Sequence, residues 1–468
     1  MRSILDYYRC PQECGRLVTQ PRLSEEPGFF RFGSDATCYG RLAGPGPGKR
    51  VTDRLNDVWP VAVPARDGLS LPFDPTEVVD NLRLERYLEN ATSWGTKARN
   101  NLKSIYYFLR PISPDFVRTR VQRMYYSRWR EIPFPQWPVD FSVDRLLQGV
   151  LTLLLRQQQP DPIPFIWFWP DGLPSCAMMT HDVEAIDGRD FCGRLMDLDD
   201  TAGIKAAFQV VPERRYPVSD AFLDSIRSRG FEINVHDLNH DGFLFRDRET
   251  FLARAEKINQ YVRRFGASGF RAGAMYRNAA WYGALDVAYD MSIPNAAHME
   301  PQRGGCCTVM PYFVGDVLEL PLTTTQDFAL INVVRQHTCE LWKREIAMIS
   351  AEHGLISFIV HPDYLLSSQA QQVYAELLAY LSNLRSEGKL WIALPKEVND
   401  WWRQRAQMRL VPNGEGWTIE GTGKERARIA YASLVEGRLT YALDAGCATH
   451  AAPVRRAGSL CVNNNDQQ

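Results

Sequence analysis

No apolar run in the sequence approaches the roughly 18 residues that a membrane-spanning helix needs. The nearest, residues 149–155, stops at Arg156. Neither sign of charge dominates: 54 basic residues stand against 55 acidic ones, a net charge of −1. The clustered basic excess of a nucleic-acid-binding protein is missing, so no nucleic-acid partner is expected. Residues 1–10 carry Asp6 and Arg9 and no apolar stretch, which is not the pattern of a secretory signal. The ten cysteines follow no framework spacing, so free thiols are expected. Cys10, Cys14 and Cys38 could be weighed as a structural metal set, but their spacing fits no standard zinc pattern. A cytoplasmic protein with no membrane span is the resulting expectation. Histidine is scarce too, with eight in 468 residues, so histidines that fall close together carry information.

The length suits two or three domains. Residues 1–164 read as an N-terminal region of unassigned role, partly loop, with helical patterns at 76–88 and 97–109. Residues 165–404 change character. Short runs rich in Val, Ile and Phe (175–180, 205–211, 231–236, 268–273, 291–297, 317–323, 355–362 and 390–395) alternate with amphipathic stretches (190–202, 220–229, 249–265, 279–289, 335–353 and 370–386). That alternation predicts βαβ units, hence an α/β fold with a parallel sheet. The count suits a (β/α) barrel of 7–8 parallel strands, with an open doubly wound sheet as second choice. Residues 405–468 predict a small appendage of two β-hairpins, one turning at Asn413-Gly414-Glu415-Gly416, and a disordered tail at 463–468.

Titratable residues fall at the ends of these runs. Asp182 and Glu184 follow the first, His236 ends the third, Arg271 lies near the end of the fourth and His361 ends the seventh. In a parallel barrel the C-terminal strand ends share one face, where active sites are built. His236 and His240 are four apart, and a helical turn after the strand would aim both rings at one cation. Asp182 and Glu184 are two apart, so an extended backbone points both to one side. One carboxylate could complete a metal set while the other stays available as a base, leaving coordination positions open as catalysis requires. Against this stands the plain alternative that either acid merely caps the next helix.

These residues resemble the motifs of the polysaccharide deacetylases, the NodB-like carbohydrate esterase family 4. Met179-Thr180-His181-Asp182-Val183-Glu184 is similar to the first motif, in the branch with a Thr-His-Asp-Val-Asp/Glu signature. Residues 230–236, with His240, resemble the second; Gly269-Phe270-Arg271-Ala272-Gly273 the third; and Ile359-Val360-His361-Pro362 the last. The resemblance covers residues 165–400 and implies a NodB-like barrel. It implies that Glu184, His236 and His240 hold a divalent transition metal such as Zn²⁺. Asp182 would be the base that deprotonates the attacking water, Arg271 its ionising partner, and His361 the acid that protonates the departing amine. The chain departs from the pattern at Asp237, where Ser or Thr is usual, and at Gly273, where Pro is usual. Glu184 replaces a shorter Asp. No Asp-x-Trp motif is present to orient the acid; Asp327 is the candidate substitute.

The expected function is metal-dependent removal of an N-acetyl group from an amino sugar of a polysaccharide, peptidoglycan or glycan precursor. Hydrolysis of another C–N bond, in a cyclic amide or ureide, and non-catalytic glycan binding are the alternatives. A glycosidase fits less well, because its carboxylates must stand roughly 5–9 Å apart across a sugar, whereas Asp182 and Glu184 are too close in sequence. His181 should point away from Asp182 into the packing, and His298, His337, His353 and His450 are expected in surface or packing roles.

Overall fold

The computed structural model describes residues 2–65, 68–91, 124–157, 162–414 and 416–444. The helix expected at 97–109 and the tail at 463–468 lie outside those residues. The centre is a nine-stranded sheet. In chain order its strands are β1 (Cys176–Val183), β2 (Ala206–Val210), β3 (Glu232–His236), β4 (Gly269–Arg271), β5 (Tyr289–Asp290), β6 (Tyr312–Val314), β7 (Val317–Glu319), β8 (Leu355–Ile359) and β9 (Trp391–Ile392). They lie in the order β6-β7-β5-β4-β3-β2-β1-β8, with β9 also on β1. Every pairing is parallel except the β6–β7 hairpin at the edge.

Burial on both faces explains the near-continuous apolar character of these strands. All of β1 is buried. Its residues alternate: Cys176 and Met178 join one core cluster, while Ala177, Met179 and Val183 pack with the helices in another. From residue 186 to residue 407 the α-helices are α1 (Ile186–Thr201), α2 (Asp220–Arg227), α3 (Arg248–Phe265), α4 (Glu340–Ala351), α5 (Ser368–Ser386) and α6 (Pro395–Gln407); Arg2–Tyr8, Pro75–Arg83 and Ser142–Gln157 precede them. Ser219, Asp247 and Ser367 cap α2, α3 and α5 through their side chains. Gly266, at φ 57°, ends α3 in the left-handed conformation.

The structure differs from the sequence expectation in three places. The fifth strand is Tyr289–Asp290 rather than 291–297, and in place of a helix over 279–289 the chain makes the 3₁₀ turn Ala279–Ala284 before that strand. Helix α6 was not expected; Pro395 at its first turn and buried Val398, Trp401, Trp402 and Arg405 at helical spacing explain it.

The third difference concerns closure of the barrel. No backbone ladder joins β7 to β8 among the described residues. Side-chain hydroxyls span that seam instead. Ser357 N–H donates to Thr323 Oγ1 at 2.9 Å, Thr323 N–H donates to Ser357 Oγ at 3.0 Å, and Ser357 Oγ donates to the Pro321 carbonyl at 2.6 Å. The sheet therefore curls until its two flanks meet through side chains.

The end of the sheet opposite the site is filled by the flanking regions. Strand Ile163–Ile166 pairs with Ile429–Val435, which pairs in turn with Arg438–Leu443; a separate hairpin joins Arg409–Asn413 to Gly416–Glu420. One apolar cluster combines Phe30, Phe73, Leu147, Phe165 and Trp402 with Cys176, Met178, Leu318 and Leu355 of the sheet.

Candidate functional site

Strands β1, β3, β4 and β8 end on one rim, and all six residues singled out in the sequence meet there. Asp182 comes off the end of β1 and is buried. Arg271, the last residue of β4, donates from Nη1 to Asp182 Oδ1 at 2.6 Å and to Thr180 Oγ1 at 2.7 Å. Its Nε donates to the Met291 carbonyl at 3.1 Å. Burial pushes the Asp182 carboxyl up, but the charge of Arg271, followed by His236 and His361, outweighs it and holds the group below the usual carboxylate range.

Glu184, His236 and His240 form the metal-type cluster: one carboxylate oxygen and two imidazole nitrogens, all within 4.8 Å of one another. Glu184 Oε1 lies 2.8 Å from His240 Nε2 and 3.6 Å from His236 Nε2. His236 Nδ1 faces the Arg271 carbonyl at 3.1 Å, which fixes the proton there and leaves the Nε2 lone pair facing the cluster. That Nε2 is buried and has no hydrogen-bond partner among the described residues. A buried orphan acceptor beside a carboxylate and a second imidazole is the donor set that a Zn²⁺-like cation completes. The cluster also lowers the Glu184 carboxyl: burial alone would raise it, but His240, His236 and His361 pull it well below its ordinary value.

The loop does not form the helical turn that the four-residue spacing suggests. Asp237 and His240 both adopt left-handed backbone, at φ 56° and 53°, and this brings the two rings to 4.9 Å between centroids. Strain of this kind in non-glycine residues persists where surrounding contacts over-determine it. Gly273 makes the fold of this loop feasible. A Cβ there would stand 2.6 Å from Asp237 Oδ2 and 2.9 Å from His240 Cδ2, so the departure from Pro at this position is matched by how closely the loop approaches.

His361 follows β8. Its Nδ1 lies 2.6 Å from Asp327 Oδ1, its backbone N–H donates to Asp327 Oδ2 at 2.6 Å, and its Nε2 is 3.6 Å from Glu184 Oε1. Burial disfavours the charged ring, yet Asp327 and Glu184 raise it well above the ordinary histidine value. Both carboxylates favour the protonated form of the ring. Tyr364 packs edge-on against it at 5.1 Å, a contact with no signal in the sequence beyond adjacency. His181 turns outward as expected: its Nδ1 faces the Val360 carbonyl and its Nε2 faces Asp199 of α1, both at 3.0 Å.

His298 and His353 face backbone carbonyls, and His337 is exposed. His450 lies outside the described residues. Two buried residues beside the site, Glu300 and Gln326, had no spacing signal; only tertiary contact joins them.

No family model matches the sequence, and no curated protein matches it. Solved structures do. The chain is similar to a candidate polysaccharide deacetylase from Mycobacterium smegmatis, at 19% identity over 51% of this chain and 93% of that one, with a TM-score of 0.41. It is also similar to the peptidoglycan deacetylase PdaC from Bacillus subtilis, at 11% identity over 49% and 93%, with a TM-score of 0.33. A third is a family 4 acetyl xylan esterase from Clostridium thermocellum in complex with a cobalt ion, at 15% identity over 48% and 91%, with a TM-score of 0.31. Each likeness spans about half of this chain, and the functional reading rests on the site itself.

Proposed function

We propose that this chain is a metal-dependent hydrolase that removes an N-acetyl group from an amino sugar of a polysaccharide, peptidoglycan or glycan precursor, on a barrel whose β7–β8 seam is bridged by side chains. One observation carries the reading. The Asp182 carboxylate, paired with Arg271, lies 3.6 Å from His236 Nε2 of the Glu184–His236–His240 cluster, and the His361 ring, paired with Asp327, lies 3.6 Å from Glu184 Oε1 of the same cluster. Groups with opposite proton affinities flanking one reaction centre are what amide hydrolysis needs.

Glu184, His236 and His240 would hold the ion, Zn²⁺ or another divalent transition metal. When bound, such an ion polarises an amide carbonyl and stabilises the charge that develops on its oxygen. Asp182 accepts the proton of the water that adds to the carbonyl carbon. Arg271 keeps that carboxylate ionised and aimed. The C–N bond then breaks, and the nitrogen leaves with a proton from His361 Nε2, because an amine departs poorly unprotonated. The products are acetate and the free amino sugar.

The test pairs metal analysis of the wild type and a His236→Ala/His240→Ala variant with acetate release from N-acetylglucosamine oligomers. About one ion per chain, lost in the variant together with acetate release, is expected. Bound metal without acetate release would move the substrate to another amide. Absence of metal from wild type supplied with Zn²⁺ would remove the mechanism.

A further inference from the structure

A narrow pocket opens beside the acid, lined by Trp137, Pro138, Met299, Glu300, Leu322 and Gln326, among others. Residues 323–326 form one wall and lead directly into Asp327, the partner of His361. Leu322 packs on Met275 and on Ile359 at the end of β8. The pocket therefore adjoins the side of the site from which a nitrogen would leave.

Most polar groups in its wall are already engaged. Thr323 Oγ1 donates to the Leu355 carbonyl and Thr324 Oγ1 to the Ser357 carbonyl, each at 2.7 Å, and Thr325 Oγ1 donates to Glu345 at 2.6 Å. Glu300 is different. It is 6% exposed, and its only hydrogen bond among the described residues comes from Gln326 Nε2 at 2.5 Å. A carboxyl offers about four acceptor positions, and leaving them unmet in a buried site is costly. The Arg277 guanidinium, whose charge acts on this carboxyl, is committed to Glu85. The pocket is narrow, with about 20 Å³ of room for a water-sized group, where one water needs roughly 10–15 Å³.

We propose that Glu300, steadied by Gln326, is a subsite that accepts a hydrogen bond from one hydroxyl of the sugar carrying the departing nitrogen. This rests on the deacetylase reading above. The chemistry selects the ligand group. A carboxylate oxygen only accepts, so the ligand must donate. The space admits one small group, not a ring. Burial pushes the Glu300 carboxyl up, while the Gln326 hydrogen bond and the charges of Arg277, His361 and Arg303 pull it back toward the ionised form; the same positive charges disfavour an ammonium and leave a neutral hydroxyl.

The experiment measures kcat/KM for an N-acetylglucosamine oligomer and its monodeoxy counterparts, in the wild type and in Glu300→Gln and Glu300→Ala. Metal content and thermal midpoint are recorded for each protein. In the wild type, one particular deoxy substrate should lose about 10–100-fold, the scale of a hydrogen bond to a charged group. Glu300→Ala should cost about the same on the parent substrate, and that deoxy substrate should lose little more in the variant, because both changes delete one bond. Losses that simply add, or a Glu300 variant indistinguishable from wild type on every substrate, would overturn the subsite while leaving the deacetylase reading intact. A wild type that binds metal and releases no acetate from any of these sugars overturns the reading and the subsite together.

Discussion

Asp327 grips His361 twice, with Oδ1 at 2.6 Å from the ring Nδ1 and Oδ2 at 2.6 Å from the backbone nitrogen. One carboxylate thus sets both the position of the residue and the proton affinity of its ring. The second effect has a direction. Burial would lower the His361 ring, and the charge of Asp327 turns that into a rise well above the ordinary value. A raised value extends the proton-donating form to higher pH. Asp327→Asn removes the charge and lets the ring fall, so donation is lost at lower pH. The alkaline limb of kcat/KM should move to lower pH, with activity down about 10–100-fold near pH 8. An alkaline limb that stays in place would take His361 out of the acid role.

Asp182→Asn separates chemistry from metal binding. The Asp182 carboxyl contacts Arg271 and lies 3.6 Å from His236 Nε2, but the cluster of ligand type is Glu184, His236 and His240. The variant should keep its metal and lose about 10²–10⁴-fold in kcat, the range of a general base. Metal analysis beside steady-state kinetics checks both halves. Loss of metal in this variant would instead make Asp182 a ligand.

Gly273→Ala tests the loop that carries the second histidine. The added methyl meets Asp237 Oδ2 at 2.6 Å and the His240 ring at 2.9 Å. His240 must then shift, and affinity for Zn²⁺ should fall about 10–100-fold, as for disturbed ligand orientation elsewhere. Competition with a chelating dye reads this directly. A variant with wild-type affinity would show that the ring does not depend on this close approach.

Glu85→Gln tests the tie between the N-terminal region and the site. Glu85 Oε2 accepts from Arg277 Nε at 2.7 Å, its Oε1 pairs with the same guanidinium, and the pair is buried. Removing one partner of a buried pair leaves the other charge uncompensated, which costs about 3–5 kcal/mol. Urea denaturation should show a loss of that order. A loss below about 1 kcal/mol would match a solvent-exposed pair instead.

The strand-and-helix alternation and the placement of five polar residues at strand ends were legible because both follow from periodicities of the chain itself. Asp182, Glu184, His236, Arg271 and His361 sit beside apolar runs that must be buried, so their convergence follows from parallel strands. The loop at His240 was not legible. Spacing four suggests a helical turn, and the structure uses two left-handed residues, accommodated by Gly273 in the turn after β4. Glu300, Gln326 and Glu85 were missed because each is defined by contacts across more than 20 positions of the chain. Helix α6 did leave a trace, a proline at its first turn followed by apolar residues at helical spacing, which a preceding strand-like run obscured.

The cluster that unites Phe73, Leu147, Phe165 and Trp402 with Cys176, Met178 and Leu355 bears on how lesions in this protein would be interpreted. A fragment cut at residue 165 would bare the mouth of the sheet opposite the site and strand Arg277 without its carboxylate. Exposed apolar surface of that kind drives association rather than folding. A substitution at Leu147, which belongs to that cluster, would therefore register in a genetic screen as lost activity, through depleted protein rather than altered chemistry.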